Sequence, residues 1–215
     1  MPYMPEKKDN LLLFDVDGVI IDSFDIVYKG VLNFIESRGG KGITQEEFRD
    51  FFDGNALAKV LEASGLESPT EISEDELAKM YGNYQKAPIF EGMADTIQQL
   101  AQDNTLVIVT STQIENVAER LEAAGLNHLF AAFLGPRAAV HKDRKIQMAL
   151  EEFGPDTDDV YFISDTLGDL LEVKDIGGIK RVAATWGYQD RGTLGLATPD
   201  FYAEKPEDLL NILTA

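Results

Sequence analysis

Short apolar runs recur along the chain, each closed by a small or acidic residue. They are Leu11–Phe14, Leu106–Val109, Val160–Ile163 and Arg181–Ala184. Runs this short, bounded by turn residues, predict strands buried on both faces. Between and after them lie Gln113–Ala124, Asp143–Phe153, Gly168–Ile176 and Glu207–Leu213, with apolar residues three and four positions apart. That spacing predicts helices. Strand alternating with helix predicts an α/β fold with a doubly wound parallel sheet. In such sheets ligands gather beyond the carboxyl ends of the strands.

One long segment breaks the alternation. Ile26, Val27, Val31, Leu32, Phe34 and Ile35 form one helical stripe, and Phe48, Phe51 and Phe52 form another. Leu57, Val60 and Leu61 follow, then Leu77, Met80, Tyr81 and Tyr84. Thr44 with Glu47, and Ser73 with Glu76, have the spacing of capping boxes. The expectation is an all-helical cap over 22–89, inserted into an α/β core made of 10–21 and 90–215. Asp22–Ser23 and Ala87–Gly92 would be its hinges, and residues 1–9 a frayed polar lead-in.

Composition narrows the function. Hydrophobic residues are 44% and charged residues 27%, as in globular domains. Asp and Glu total 38 against 19 Lys and Arg, a net charge of −19. Such a surface repels phosphate backbones and anionic lipid, so neither nucleic acid nor membrane is an expected partner. No apolar run approaches the roughly 20 residues of a membrane helix. Leu11–Phe14 is too short for a signal-peptide core. The chain has no cysteine, which excludes disulfides, thiol nucleophiles and cysteine metal sites. A cytoplasmic setting is the expectation. His128 and His141 are too few for a zinc site and read as surface or helix-end residues.

Four strand-end signals could carry chemistry. In FDVDGVIIDS, Asp15 and Asp17 leave a strand two residues apart, and Gly18 permits a tight turn. Paired carboxylates suit a magnesium ion, or a nucleophile beside a proton donor; they also suit a solvated strand end. In LVIVTST, Thr110 and Ser111 could hold an anion near a helix start, or simply cap that helix. His141, Lys142, Arg144 and Lys145 open a helix where cations oppose the macrodipole. That conflict hints at a site, against the alternative of a solvated face. In YFISDTLGDLL, Asp165 ends a strand and Asp169 falls in the first helical turn, suited to a cation or to the helix dipole.

In this order the four signals resemble the haloacid dehalogenase-like hydrolase superfamily. The resemblance is to its phosphatase branch with a helical cap after the first core strand, as in phosphoglycolate phosphatases and β-phosphoglucomutases. It runs from Leu11 to Leu213 and includes WGYQDR at Trp186–Arg191. Ser164 stands where glycine is frequent, and the third motif lacks the usual Lys-Pro pair. Lys142 is preferred to Lys145 as its lysine because Ile146 follows it at the usual spacing. The resemblance implies that Asp15 attacks phosphorus and that Asp17 moves the protons. It implies Mg²⁺ on Asp15, the Asp17 carbonyl and Asp165, with Asp169 orienting the metal shell. Thr110, the Ser111 N–H and Lys142 would hold the phosphoryl oxygens. Phe51–Lys59 resembles the cap loop that reaches the core site, which makes Asn55 and Lys59 candidate substrate contacts.

The implied activity is hydrolysis of a small phosphorylated metabolite. The main alternative is a phosphomutase. Against it, the residues where mutases of this kind carry a cap histidine are Ile26, Val27 and Tyr28, and the cap holds only two arginines, Arg38 and Arg49. A haloalkanoate dehalogenase would not need Asp17, and a receiver-type phosphoacceptor domain is usually undivided. A non-catalytic phosphate-binding protein would be expected to lack one of the motifs. Nucleotide-binding glycine patterns are absent. Trp186 reads as packing near the site.

Overall fold

The computed structural model describes residues 9–154 and 159–213. The lead-in expected over 1–9 therefore lies, except for Asp9, outside the described residues. Six parallel strands form one sheet: β1 (Asn10–Phe14), β2 (Thr105–Val109), β3 (Ala132–Leu134), β4 (Asp159–Ser164), β5 (Ile179–Ala184) and β6 (Phe201–Ala203). Their order is β3-β2-β1-β4-β5-β6. The order reverses at β1, so the crevice for ligands opens where β1, β2 and β4 end.

Strand alternation divides the core in two. Leu12 and Phe14 face one side, with Leu106, Ile108 and Ile163. Leu11 and Leu13 face the other, with Val107, Val109 and Phe162. The first layer is covered by α5 (Met93–Asp103), α6 (Ile114–Ala123) and α10 (Asp208–Ile212). The second is covered by α7 (Lys142–Phe153), through Ile146 and Ala149. Helix α8 (Leu167–Glu172) and α9 (Arg191–Gly195) pack through Leu167, Leu170 and Leu194 on a smaller cluster with Ala183. The four strand runs and four helices seen in the sequence are all present. Strands β3 and β6 and helices α5 and α9 are additional. Helix α8 ends at Glu172 rather than continuing to Ile176.

Between β1 and α5 the chain is helical: α1 (Phe24–Ser37), α2 (Gln45–Asp50), α3 (Ala56–Ser64) and α4 (Glu74–Met80), with short 3₁₀ turns. These pack on their own cluster of Phe24, Val27, Val31, Phe34, Ile35, Phe48, Val60 and Leu61. Both capping boxes form, at Thr44 with Glu47 and at Ser73 with Glu76. The chain enters and leaves this insertion side by side. The Asp22 N–H donates to the Pro88 carbonyl at 2.9 Å, and Phe90 to Ile20 at 3.1 Å.

Candidate active site

Strand β1 delivers Asp15 to the crevice, where it is almost wholly buried. Its Oδ1 accepts from the Val16 N–H at 2.8 Å, and its Oδ2 takes the Lys142 ammonium at 2.5 Å. The same ammonium reaches Asp169 Oδ2 at 2.5 Å. Ser164, at the end of β4, donates to Asp169 at 3.0 Å. A glycine there could not, so this departure from the family pattern has a local role. Lys142 and Lys145 are both buried. Only Lys142 meets the carboxylates; Lys145 donates to the Thr110 carbonyl at 2.7 Å. Arg144 and His141 are exposed.

Asp17 faces the other way. Ser23 donates to its Oδ1 and Thr112 to its Oδ2, both at 2.6 Å. Ser23 opens α1, yet its hydroxyl makes no capping bond. The site has claimed a group that would ordinarily satisfy a helix end. The Thr110 hydroxyl accepts from the Thr112 N–H at 3.0 Å, which leaves its own proton to give. Ser111 is exposed at this turn.

Asp165 is fully buried, and its Oδ2 accepts from the Tyr188 N–H at 2.7 Å. Its Oδ1 has no hydrogen-bond partner. Gly18, at φ 76°, and Gly187 let the backbone close on this carboxylate: a Cβ would stand 1.8 Å and 2.3 Å from Oδ2, respectively.

The electrostatics reflect crowding. Burial, reinforced by Asp169, lifts Asp15 to about 7 against the pull of Lys142. Burial and the charge of Asp15 hold Asp165 well above the usual carboxylate range. Burial also opposes ionisation of Asp169, but Lys142 prevails and keeps it low. For Lys142, burial is outweighed by Asp15 and Asp169, and its proton is held more tightly. Burial, then the neighbouring Lys142 charge, push Lys145 down to about 8.

One ammonium thus pairs with two carboxylates, the buried Asp15 and the partly buried Asp169, while the buried Asp165 stands beside them without it. The surplus negative charge and the unpartnered Asp165 oxygen fit a divalent cation. Among the described residues no three acidic or histidine side chains form a complete cage. Magnesium needs only one or two carboxylates, with waters and phosphate oxygens completing its shell.

The insertion docks on this crevice. The ring of Tyr188 meets Phe24 and Phe52 edge-on, each at 5.0 Å between centroids. Arg49 donates to the Tyr188 carbonyl at 3.0 Å. Gln189 donates to Asp53 at 2.8 Å and accepts from the Leu167 N–H at 2.6 Å. Gly168 allows the approach, since a Cβ there would lie 2.5 Å from the Gly54 carbonyl. The loop containing Phe52 and Gly54 therefore reaches the core beside Asp169.

Asn55 and Lys59 make their contacts elsewhere. The Asn55 side chain caps α3, accepting from the Ala58 N–H at 3.0 Å. Lys59 pairs with Glu62 at 3.3 Å on an exposed face. An asparagine one residue before a helix is well placed to cap it, which accounts for its direction. The sequence reading missed Thr112, Ser23, Tyr188 and Gln189 as site residues. Thr112 was accessible in principle, because it lies two positions beyond Thr110 in a hydroxyl-rich run. Trp186 is half-buried and donates to the Val19 carbonyl at 3.1 Å, a packing role.

A family model described as haloacid dehalogenase-like hydrolase matches residues 12–184. A phosphoglycolate phosphatase from Synechococcus elongatus is 27% identical over 207 residues, covering 94% of this chain and 96% of its own. Pyrophosphatase PpaX from Bacillus velezensis is 24% identical over 219 residues, covering 97% of this chain and 98% of its own. Among solved structures, a haloacid dehalogenase-like family hydrolase from Streptococcus pneumoniae matches with a TM-score of 0.74 and 23% identity. That match covers 96% of this chain and 99% of that one, and speaks for the fold alone. No helix among the described residues is long and apolar enough to cross a membrane.

Proposed function

The chain belongs to the haloacid dehalogenase-like hydrolases, and on that footing we propose that it hydrolyses a small phosphate monoester through an aspartyl phosphate on Asp15. The observation that carries this reading is the contact of Asp15 with the buried Lys142 ammonium at the mouth of the sheet. A carboxylate approached by a phosphate dianion needs compensating positive charge. Lys142 supplies one such charge at the attacking oxygen.

An Asp15 oxygen attacks phosphorus, the new O–P bond forms and the ester P–O bond breaks. The leaving oxygen keeps the electron pair and takes a proton from Asp17. Water then attacks the aspartyl phosphate and gives its proton back to Asp17. The acyl O–P bond breaks, and inorganic phosphate and the Asp15 carboxylate are released. Hydroxyls can donate or accept, so Ser23 and Thr112 suit both protonation states of Asp17. Thr110 and the Ser111 N–H would hold phosphoryl oxygens beside Lys142. Mg²⁺ would be held by Asp15, the Asp17 carbonyl and Asp165, with Asp169 orienting its shell. When bound it would supply positive charge that offsets the phosphate dianion.

The helical segment over 22–89 would act as the cap that covers the substrate. Hydrolysis rather than transfer is favoured by that segment. Val27 is buried in its apolar cluster. Arg38 is paired with Glu76 at 2.7 Å, and Arg49 bonds Tyr188 and covers the Phe24 ring. Neither arginine is left to clamp a second phosphate.

The test is p-nitrophenyl phosphate with Mg²⁺. Wild type should release phosphate and stop in chelator, and Asp15→Asn should abolish turnover. A variant that keeps more than about a hundredth of the activity would sink the nucleophile assignment. Full activity in chelator would favour dehalogenase-like chemistry.

A further inference from the structure

We propose that Tyr188 is a positioning residue that ties the pose of Asp17 to the seating of the helical insertion. The inference rests on the reading of Asp17 as the proton donor to the leaving group. Tyr188 is buried, and its hydroxyl lies 2.9 Å from Ser23 Oγ. Ser23 has one proton, which it directs to Asp17 Oδ1 at 2.6 Å. A serine hydroxyl that gives its only proton to a carboxylate can only accept from a third partner. While Asp17 is ionised, the hydrogen bonds therefore run from Tyr188 through Ser23 to Asp17.

The rest of Tyr188 is held by two different bodies of structure. Its backbone N–H belongs to the core and meets Asp165. Its ring lies between Phe24 and Phe52, and its carbonyl takes Arg49, all three from the insertion. Displacing the insertion would remove both rings and the guanidinium that fix the phenol. Ser23 would then lose the donor that keeps its hydroxyl turned, and one of the two bonds that aim Asp17 would loosen. Thr112, on the core, would keep only the other oxygen. Proton donation would then be fully organised only with the insertion seated.

The experiment compares kcat/KM for p-nitrophenyl phosphate and phenyl phosphate in wild type, Tyr188→Phe, Ser23→Ala, Ser23→Thr and Asp17→Asn. A good leaving group needs little proton help, whereas phenol needs more. Tyr188→Phe keeps the ring and its packing. It should lose roughly tenfold more activity on phenyl phosphate than on p-nitrophenyl phosphate, largely in kcat, within the range of a mispositioned acid. Ser23→Ala should show the same selective loss, Ser23→Thr should restore it, and adding Tyr188→Phe to Ser23→Ala should cost nothing further. Equal losses on both substrates, or wild-type behaviour, would overturn the relay while Asp17→Asn still shows selective loss. If Asp17→Asn itself shows no leaving-group selectivity, the assignment of Asp17 as the acid fails and the relay falls with it.

Discussion

Lys145 donates its buried ammonium to the carbonyl of Thr110, 2.7 Å away, one turn from the lysine that touches Asp15. Two adjacent buried lysines thus have separate tasks. Lys142 neutralises carboxylates and Lys145 fixes the strand end that carries Thr110. Lys142→Ala should cost at least a hundredfold in turnover, since it removes the charge facing Asp15 and leaves Asp169 unpaired. Lys145→Met should cost less than about tenfold. Steady-state kinetics of the two variants decide, and the reverse order would exchange their roles.

Lys145 also sets a pH dependence. Its folded-state value of about 8 lies below the ordinary 10.5. Between these values the unfolded chain binds a proton that the folded protein does not, so stability from this group rises with pH. Urea midpoints of wild type and Lys145→Met, compared at pH 7 and pH 10, report the effect. The stability of wild type relative to the variant should rise between pH 7 and pH 10. A constant gap would mean that Lys145 ionises normally.

Asp15 and Asp165 shift the opposite way, upward, both chiefly through burial. A carboxyl raised in the folded state contributes its stability at low pH and loses it as pH climbs through the folded value. Without metal, wild type should therefore lose stability from pH 5 to pH 8. Mg²⁺ should raise Tm, more at pH 8 than at pH 5, because binding releases protons. At about 100 times its Kd the gain is about 2.7 kcal/mol. Asp165→Asn should reduce both the pH loss and the Mg²⁺ response, as thermal melts with and without Mg²⁺ would show. An undiminished Mg²⁺ shift in that variant would remove Asp165 from the metal set.

Gly18→Ala should be severe. The residue has φ 76°, and a Cβ would come 1.8 Å from Asp165 Oδ2 and 2.8 Å from the Tyr188 ring. The left-handed conformation alone costs roughly 1–2 kcal/mol, and displacing Asp165 adds to it. The expected loss exceeds about 2 kcal/mol by urea unfolding, accompanied by loss of Mg²⁺ response. A soluble variant with a normal midpoint would contradict the close approach.

Supplied with β-glucose 1-phosphate and a trace of the bisphosphate, the enzyme should release free phosphate faster than it forms glucose 6-phosphate. The buried Val27 and the engaged Arg38 and Arg49 give the insertion no evident means to hold a returning sugar phosphate. Faster formation of glucose 6-phosphate would identify a mutase.

The sheet and most strand-end chemistry were legible because both are local. Each central strand carries an apolar run, and the candidate residues Asp15, Thr110 and Asp165 each follow a strand directly. Strands β3 and β6 escaped notice because each is only three residues long and lies at a sheet edge. Apolar continuity is weakest there. Tyr188 and Gln189 escaped because their partners are distant in sequence, and so is one of Ser23's partners, Tyr188. Ser23 also carries the local signature of a helix cap and serves Asp17 instead. Asn55 lies in a loop suggestive of substrate contact, and its side chain caps a helix in the structure.

The central place of β1 bears on how the molecule is made. Asn10 pairs with Asp159, while Leu11 pairs with Thr105. Strand β1 is therefore flanked by partners synthesised well after it, from Thr105 and from Asp159 onward. Its unbroken apolar run, Leu11–Phe14, must stay out of aggregates until both partners have emerged, and closing the sheet around it is a long-range, slow event. The helical insertion, rich in local contacts, can gather before that closure. A nascent chain stalled before β4 should hold a protease-resistant helical unit beside a β1 that is still open to cleavage.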